Sequence, residues 1–166
     1  MEYFRRYAWV LAGLSLAALF GGFYAIVMAM NGRFDLAGVD DWHAGRYAHG
    51  HGWDLDKAMA GHDPERAAVL LAHQPLGVER GMRAGVGLQL SGHTHGGQVC
   101  APGWGALTTN CDLPASKAKG LHQHRAAGNS SWLHVSGGVG SSPYAPYRFA
   151  CPPEVTLLTL TSRPNG

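Results

Sequence analysis

Hydrophobic and polar positions divide this chain into two unlike parts. Residues 7–30, YAWVLAGLSLAALFGGFYAIVMAM, carry no charge and show no amphipathic face. At about 1.5 Å per helical residue, such a run can cross a hydrocarbon core of about 30 Å. Arg5-Arg6 ahead of it favours an orientation that leaves the remainder outside the cytoplasm. Val27-Met28-Ala29 is a passable cleavage site, but the apolar region is long for a signal peptide. Gly21-Gly22 also splits the run into a helix-sized and a strand-sized piece, and both could be buried in a globular domain. Residues 1–32 are therefore read as a separate apolar segment. The chain is either membrane-anchored with an extracytoplasmic domain or soluble and cytoplasmic.

Beyond residue 33 the pattern changes to short apolar runs between turns. RFDLAGVD (33–40) predicts a strand ending in Asp40-Asp41, followed by a polar loop over 43–54 and a short helix around Leu55–Ala60. Asp63-Pro64-Glu65 looks like a helix start that gives way at once to AAVLLA (67–72), compact enough for a buried strand. His73-Gln74-Pro75 ends that strand, because proline cannot donate to a ladder. Residues 76–85 predict a short helix. VGLQLS (86–91) alternates so as to turn Val86, Leu88 and Leu90 inward. After a long glycine, proline and threonine loop (101–120), two further strands are predicted at 132–140 and 154–162. The fold class is α/β with a sheet-dominated core, and residues 33–166 make up its domain.

Composition narrows the function. Of 166 residues, 24 are glycine, 10 are histidine and only 14% are charged, with a net charge of +2. That balance suits tight turns between strands and gives no basic run for a nucleic-acid surface. Cys100, Cys111 and Cys151 sit at no zinc-ribbon spacing, so buried or loose thiols are the plainer reading. Cys100 and Cys111 could pair outside the cytosol.

The histidines carry the candidate chemistry. His73 follows one predicted buried strand, and His93 and His95 follow another within SGHTHGGQ. Ligands of open α/β sheets collect at the carboxyl ends of strands, so neighbouring strands would bring three imidazoles to one rim. Neutral imidazole suits zinc, iron and manganese-type ions. Gly92, Gly96 and Gly97 allow a sharp turn and close approach to an anion.

HQP followed some twenty residues later by SGHTHGGQV resembles the C-terminal half of the calcineurin-like metallophosphoesterases, closest to a bacterial branch tied to the membrane. FDLAGVDD upstream fits the same order, as do WLHVSGGVGSS and PYRFACPPEVTLLTL downstream. The resemblance covers roughly residues 33–161. It implies a two-sheet β-sandwich flanked by helices, with a two-metal centre at the sheet edge. His73 and His93 would then hold the second metal and His95 the first. Two divalent ions of the manganese, iron or zinc type, about 3.5–4 Å apart, would activate a water for phosphomonoester or phosphodiester hydrolysis. The substrate would be a phosphorylated small molecule or lipid.

The family's Gly-Asp and Gly-Asn-His motifs do not occur upstream of residue 73, nor does an Asp-x-His near the start of the chain, and Glu2-Tyr3-Phe4 resembles the residues just after the last of these motifs. The chain thus reads as the domain without its N-terminal half. Three imidazoles alone favour one zinc-type ion over two. A catalytically silent, membrane-associated metal-binding or interaction domain is the alternative. No catalytic or substrate-binding residue is assigned. His49 and His51 read as solvated loop residues, His122 and His124 as surface residues of a polar stretch with Arg125, and His134 as a strand residue facing solvent or a hydrogen-bond partner. Asp40-Asp41 read as structural or as support at the site rim. Arg148 would reach a substrate phosphate or pair with Glu154.

Overall fold

The structure is a computed structural model that describes residues 28–29, 34–46, 52–142 and 146–161. Six strands form one mixed sheet in the order β1-β2-β3-β4-β8-β7: β1 (Met28–Ala29), β2 (Phe34–Gly38), β3 (Ala67–Leu71), β4 (Val86–Ser91), β7 (Gly120–Ala126) and β8 (Asn129–Val135). The central four, β2, β3, β4 and β8, run parallel, while β1 and β7 close the edges antiparallel. β5 (Cys100–Ala101) and β6 (Gly105–Ala106) form a small second sheet. The architecture is α/β and sheet-centred, as expected.

Parallel neighbours need crossover connections, and two short helices lie in those from β2 to β3 and from β3 to β4. α1 (Leu55–Ala58) is capped by Asp54, whose carboxylate accepts from the Lys57 amide. α2 (Val78–Arg83) begins after Gly77 at φ 68°, where a Cβ would lie 2.8 Å from the Trp53 ring. Both helices cover the same sheet face. Leu55 and Ala58 pack there with Ala37, Val39, Leu70, Ala72 and Val86, and Val78 packs with Leu133 and Val135. Asp63-Pro64-Glu65 makes a single turn closed by the Arg66 amide on the Asp63 carbonyl, and no helix follows.

Three expectations are corrected. In β4 the inward residues are Val86, Gln89 and Ser91, not Val86, Leu88 and Leu90. Ala68 faces Val86 but Val69 faces Leu88, so Gly87 is an extra residue that switches the side-chain parity. Gln89 is thereby buried, and its amide donates to the Leu76 carbonyl and to Ser91 Oγ. Second, β7 falls in a polar stretch for which no strand is expected; its residues alternate half-buried and exposed beside β8. Third, the strand expected at 154–162 is not formed over 154–161. Val155, Leu157 and Leu160 are exposed there, and no described strand lies alongside to take up the backbone hydrogen bonds.

The second sheet face, carrying Leu71, Leu90 and His134, borders a groove of about 380 Å³ under Thr156 and Leu158. No helix among the described residues is long and apolar enough to cross a membrane. Of the apolar run 7–30, only Met28–Ala29 lies within the described residues.

Candidate metal centre

The parallel order β2-β3-β4-β8 sends four carboxyl ends to one edge of the sheet. Asp40-Asp41, His73, Gly92-His93 and Ser136-Gly137 leave the strands there in sequence. Pairing continues past the strands: the Gly92 amide donates to the His73 carbonyl at 3.0 Å, and the Ser136 amide to the Ser91 carbonyl at 2.8 Å. His73 and His93 are thus held side by side by the sheet itself. His93 Nδ1 lies 3.2 Å from His73 Nε2, with the rings edge-to-face at 77°.

After His93 the backbone turns steeply. His93, His95 and Gln98 hold φ of 68°, 51° and 59°, and Gly96 and Gly97 hold 66° and 85°. Left-handed backbone costs a side-chain-bearing residue about 1–2 kcal/mol, so neighbouring contacts must impose it. Thr94 Oγ1 donates to the Ala118 carbonyl and accepts from the Gly96 amide. Asn110, from the 101–120 loop, donates to the His93 carbonyl at 3.0 Å. The two glycines serve packing. A Cβ on Gly97 would lie 2.3 Å from that of Ala106, and one on Gly96 2.9 Å from Cys151 Sγ. Gly92 is not left-handed.

The turn separates the two histidines of the HTH pair. His95 lies beside the Gly140 carbonyl. Burial pushes the His93 imidazole below the usual histidine range, with His73 beside it adding to this, and Asp41 opposes the shift. Burial likewise lowers His95, with the Arg148 charge next in size. Both rings are therefore neutral near pH 7, the form that can ligate a metal.

Two nitrogens bound to one tetrahedral ion at about 2.0–2.1 Å stand about 3.3 Å apart. The observed 3.2 Å separation of the His73 and His93 nitrogens fits that geometry. Among the described residues no group of three or more His, Cys, Asp or Glu side chains converges as a full ligand set. The pair fits part of a metal site, and His95 is not positioned as its third member.

The remaining candidates separate clearly. Asp40 Oδ1 accepts from the Asp41 amide and Asp41 Oδ1 from the His43 amide, so both carboxylates shape the rim backbone. Gln74, read only as part of a strand stop, proves to be a buried organiser: its Oε1 accepts from the Trp42 amide and its Nε2 meets His43 Nδ1. Arg148 does not pair with Glu154. Its guanidinium donates to the carbonyls of His95, Gly137, Gly138 and Gly140, lacing the histidine turn to the loop after β8. Glu154 instead accepts from the Gly137 amide and meets Lys119. His134 is buried, and burial lowers its pKa. His122 and His124 are half-buried on β7, and His49 and His51 lie outside the described residues.

An α/β sheet carrying histidines at adjacent carboxyl ends defines the class, and sequence comparison agrees with it. Relatives named for a metallophosphoesterase domain match most of this chain and support a calcineurin-like metallophosphoesterase domain in it. The chain is 38% identical over 133 residues to a transmembrane protein with metallophosphoesterase domain from Bos taurus, covering 78% of this chain and 28% of that protein. The Danio rerio protein of the same name is 45% identical over 128 residues, covering 75% and 27%. A metallophosphoesterase of Bacillus subtilis (strain 168), YkuE, is 30% identical over 143 residues, covering 85% and 45%. The chain thus spans between about a quarter and a half of these relatives' length. No family model matches the chain, and no solved structure matches it.

Proposed function

We propose that this chain carries the histidine side of a metal-dependent phosphoesterase site, hydrolysing phosphomonoesters or phosphodiesters. The observation that carries the reading is the His73–His93 contact at the ends of adjacent parallel strands, with a nitrogen separation suited to one ion. His73 and His93 would hold a divalent ion of the manganese, iron or zinc type, and His95 would serve a second. Bound there, such an ion supplies Lewis-acid stabilisation of phosphoryl oxygens and an activated water. The chain's own part is to keep the His93 and His95 imidazoles neutral, fix the His93 backbone through Asn110 and leave the exposed His73 open to substrate. The groove beside His73, lined by Leu71, Leu90 and Leu158, suits the apolar moiety of a phosphorylated small molecule or lipid. The vertebrate relatives' names call those proteins transmembrane, which supports a membrane anchor.

Hydrolysis of bis(p-nitrophenyl) phosphate with added manganese tests the activity. Turnover that rises with metal and stops with a chelator is expected. Its absence at every metal concentration would contradict the reading for this chain. In that case the second reading gains: a catalytically silent, membrane-associated metal-binding domain. The lack of a third converging ligand among the described residues favours it.

A further inference from the structure

Two buried cysteines meet directly beneath the histidine turn. Cys100 Sγ donates to the Gly96 carbonyl at 3.4 Å, and Cys151 Sγ lies 3.3 Å from the same oxygen and 3.4 Å from that of His95. Their backbones are neighbours, since Val99 bridges Phe149 in parallel and the Cys100 amide donates to the Phe149 carbonyl at 2.9 Å. Extended alternation would put Cys151 on the face opposite Cys100. Ala150 at φ 49° breaks the alternation, and both thiols reach one carbonyl. Cys111, by contrast, sits half-buried in the 101–120 loop.

We propose that Cys100 and Cys151 form a redox pair whose disulfide staples the His95–Gly96 turn to the 146–151 segment. The staple would join elements also held by Arg148, by the Val99–Phe149 bridge with its flanking amide hydrogen bonds and by thiol contacts to carbonyls. The oxidant is a peroxide, small enough for a site in which the two residues are 6% and 2% exposed. One sulfur attacks a peroxide oxygen and the O–O bond breaks, leaving a sulfenic acid and one water. The second sulfur attacks the first, the S–S bond forms and a second water leaves. Two thiols lose two electrons in total, and one hydrogen peroxide becomes two waters. Closing so long a loop restricts the unfolded chain strongly. In the folded chain the bridge limits opening of the turn that carries His93 and His95.

The test uses the full chain and its Cys111→Ser variant, treated with hydrogen peroxide, blocked with iodoacetamide, digested and mapped by mass spectrometry. A Cys100–Cys151 linked peptide should appear in both proteins and be reversed by dithiothreitol. Amides of residues 93–98 should exchange about 10-fold more slowly in the oxidised form. Three results would overturn the proposal: Cys100 and Cys151 both alkylated after peroxide, either one oxidised alone to sulfinic acid, or bridging through Cys111. Bridging without slowed exchange would remove the link to the turn.

Discussion

At the scale of single residues, the turn after β4 combines backbone strain with tight packing. His93 and His95 hold left-handed backbone, while Gly97 holds it where no side chain fits. Gly97→Ala adds a Cβ 2.3 Å from Ala106 Cβ on backbone already at φ 85°. Strain and overpacking together should cost about 3 kcal/mol, read as a lowered urea midpoint. Arg148 serves several carbonyls from one planar group. Arg148→Ala should cost about 2 kcal/mol or more in the same assay. Arg148→Lys should recover little, because a compact ammonium cannot match the fork. An effect of Arg148→Ala on substrate binding with unchanged stability would contradict this structural role. Sequence alone left open whether His93 and His95 share a face, as residues two apart do in extended chain, or are turned apart by a kinked loop. The run of positive φ that parts them depends on Thr94, Asn110 and Ala106, contacts that no local pattern reveals.

Among the elements, strands were legible where apolar runs meet a proline or glycine stop, as at β2, β3 and β4. β7 was not, because its half-buried positions include His122 and His124, polar residues that hide the period of two. Its hairpin with β8 turns on Ala127-Gly128, both with positive φ, the mirror-image turn that matches strand twist. Ala127→Asn should therefore stabilise the protein by about 1 kcal/mol, since asparagine tolerates this region better than alanine. A lower thermal midpoint for that variant would contradict the turn assignment. The apolar run 154–161 shows the reverse case: its composition suits a strand, but a strand also needs a neighbour.

β2 also carries a buried acid on the helix-covered face. Asp35 Oδ2 lies 2.9 Å from His62 Nδ1, and Oδ1 lies 2.8 Å from the Arg66 guanidinium. The His62 hydrogen bond chiefly holds its pKa below the ordinary 3.8; burial works against this, and the Asp63 amide and Arg66 reinforce it. A depressed folded pKa contributes stability that is present above the unfolded value and lost as pH falls through the folded one. Wild type should therefore exceed Asp35→Asn in stability by a constant margin near neutrality, and that margin should shrink below about pH 4. A margin independent of pH down to pH 2 would show that the acid is not ionised in the fold.

For the whole molecule, the central claim is that parallel strand order creates a metal-binding edge. Four carboxyl ends share that edge, and the register of β3 with β4 sets His73 against His93. The positions of these two residues after buried strands were legible in the sequence; their direct contact was not, since it depends on β3 and β4 being neighbours. Zinc affinity, measured by competition with a chromophoric chelator, tests the claim most directly. His73→Ala and His93→Ala should each weaken binding by more than about 100-fold, because even groups that merely support a ligand are worth about 10–100-fold. Zinc bound as tightly by both variants as by the wild-type chain would contradict it.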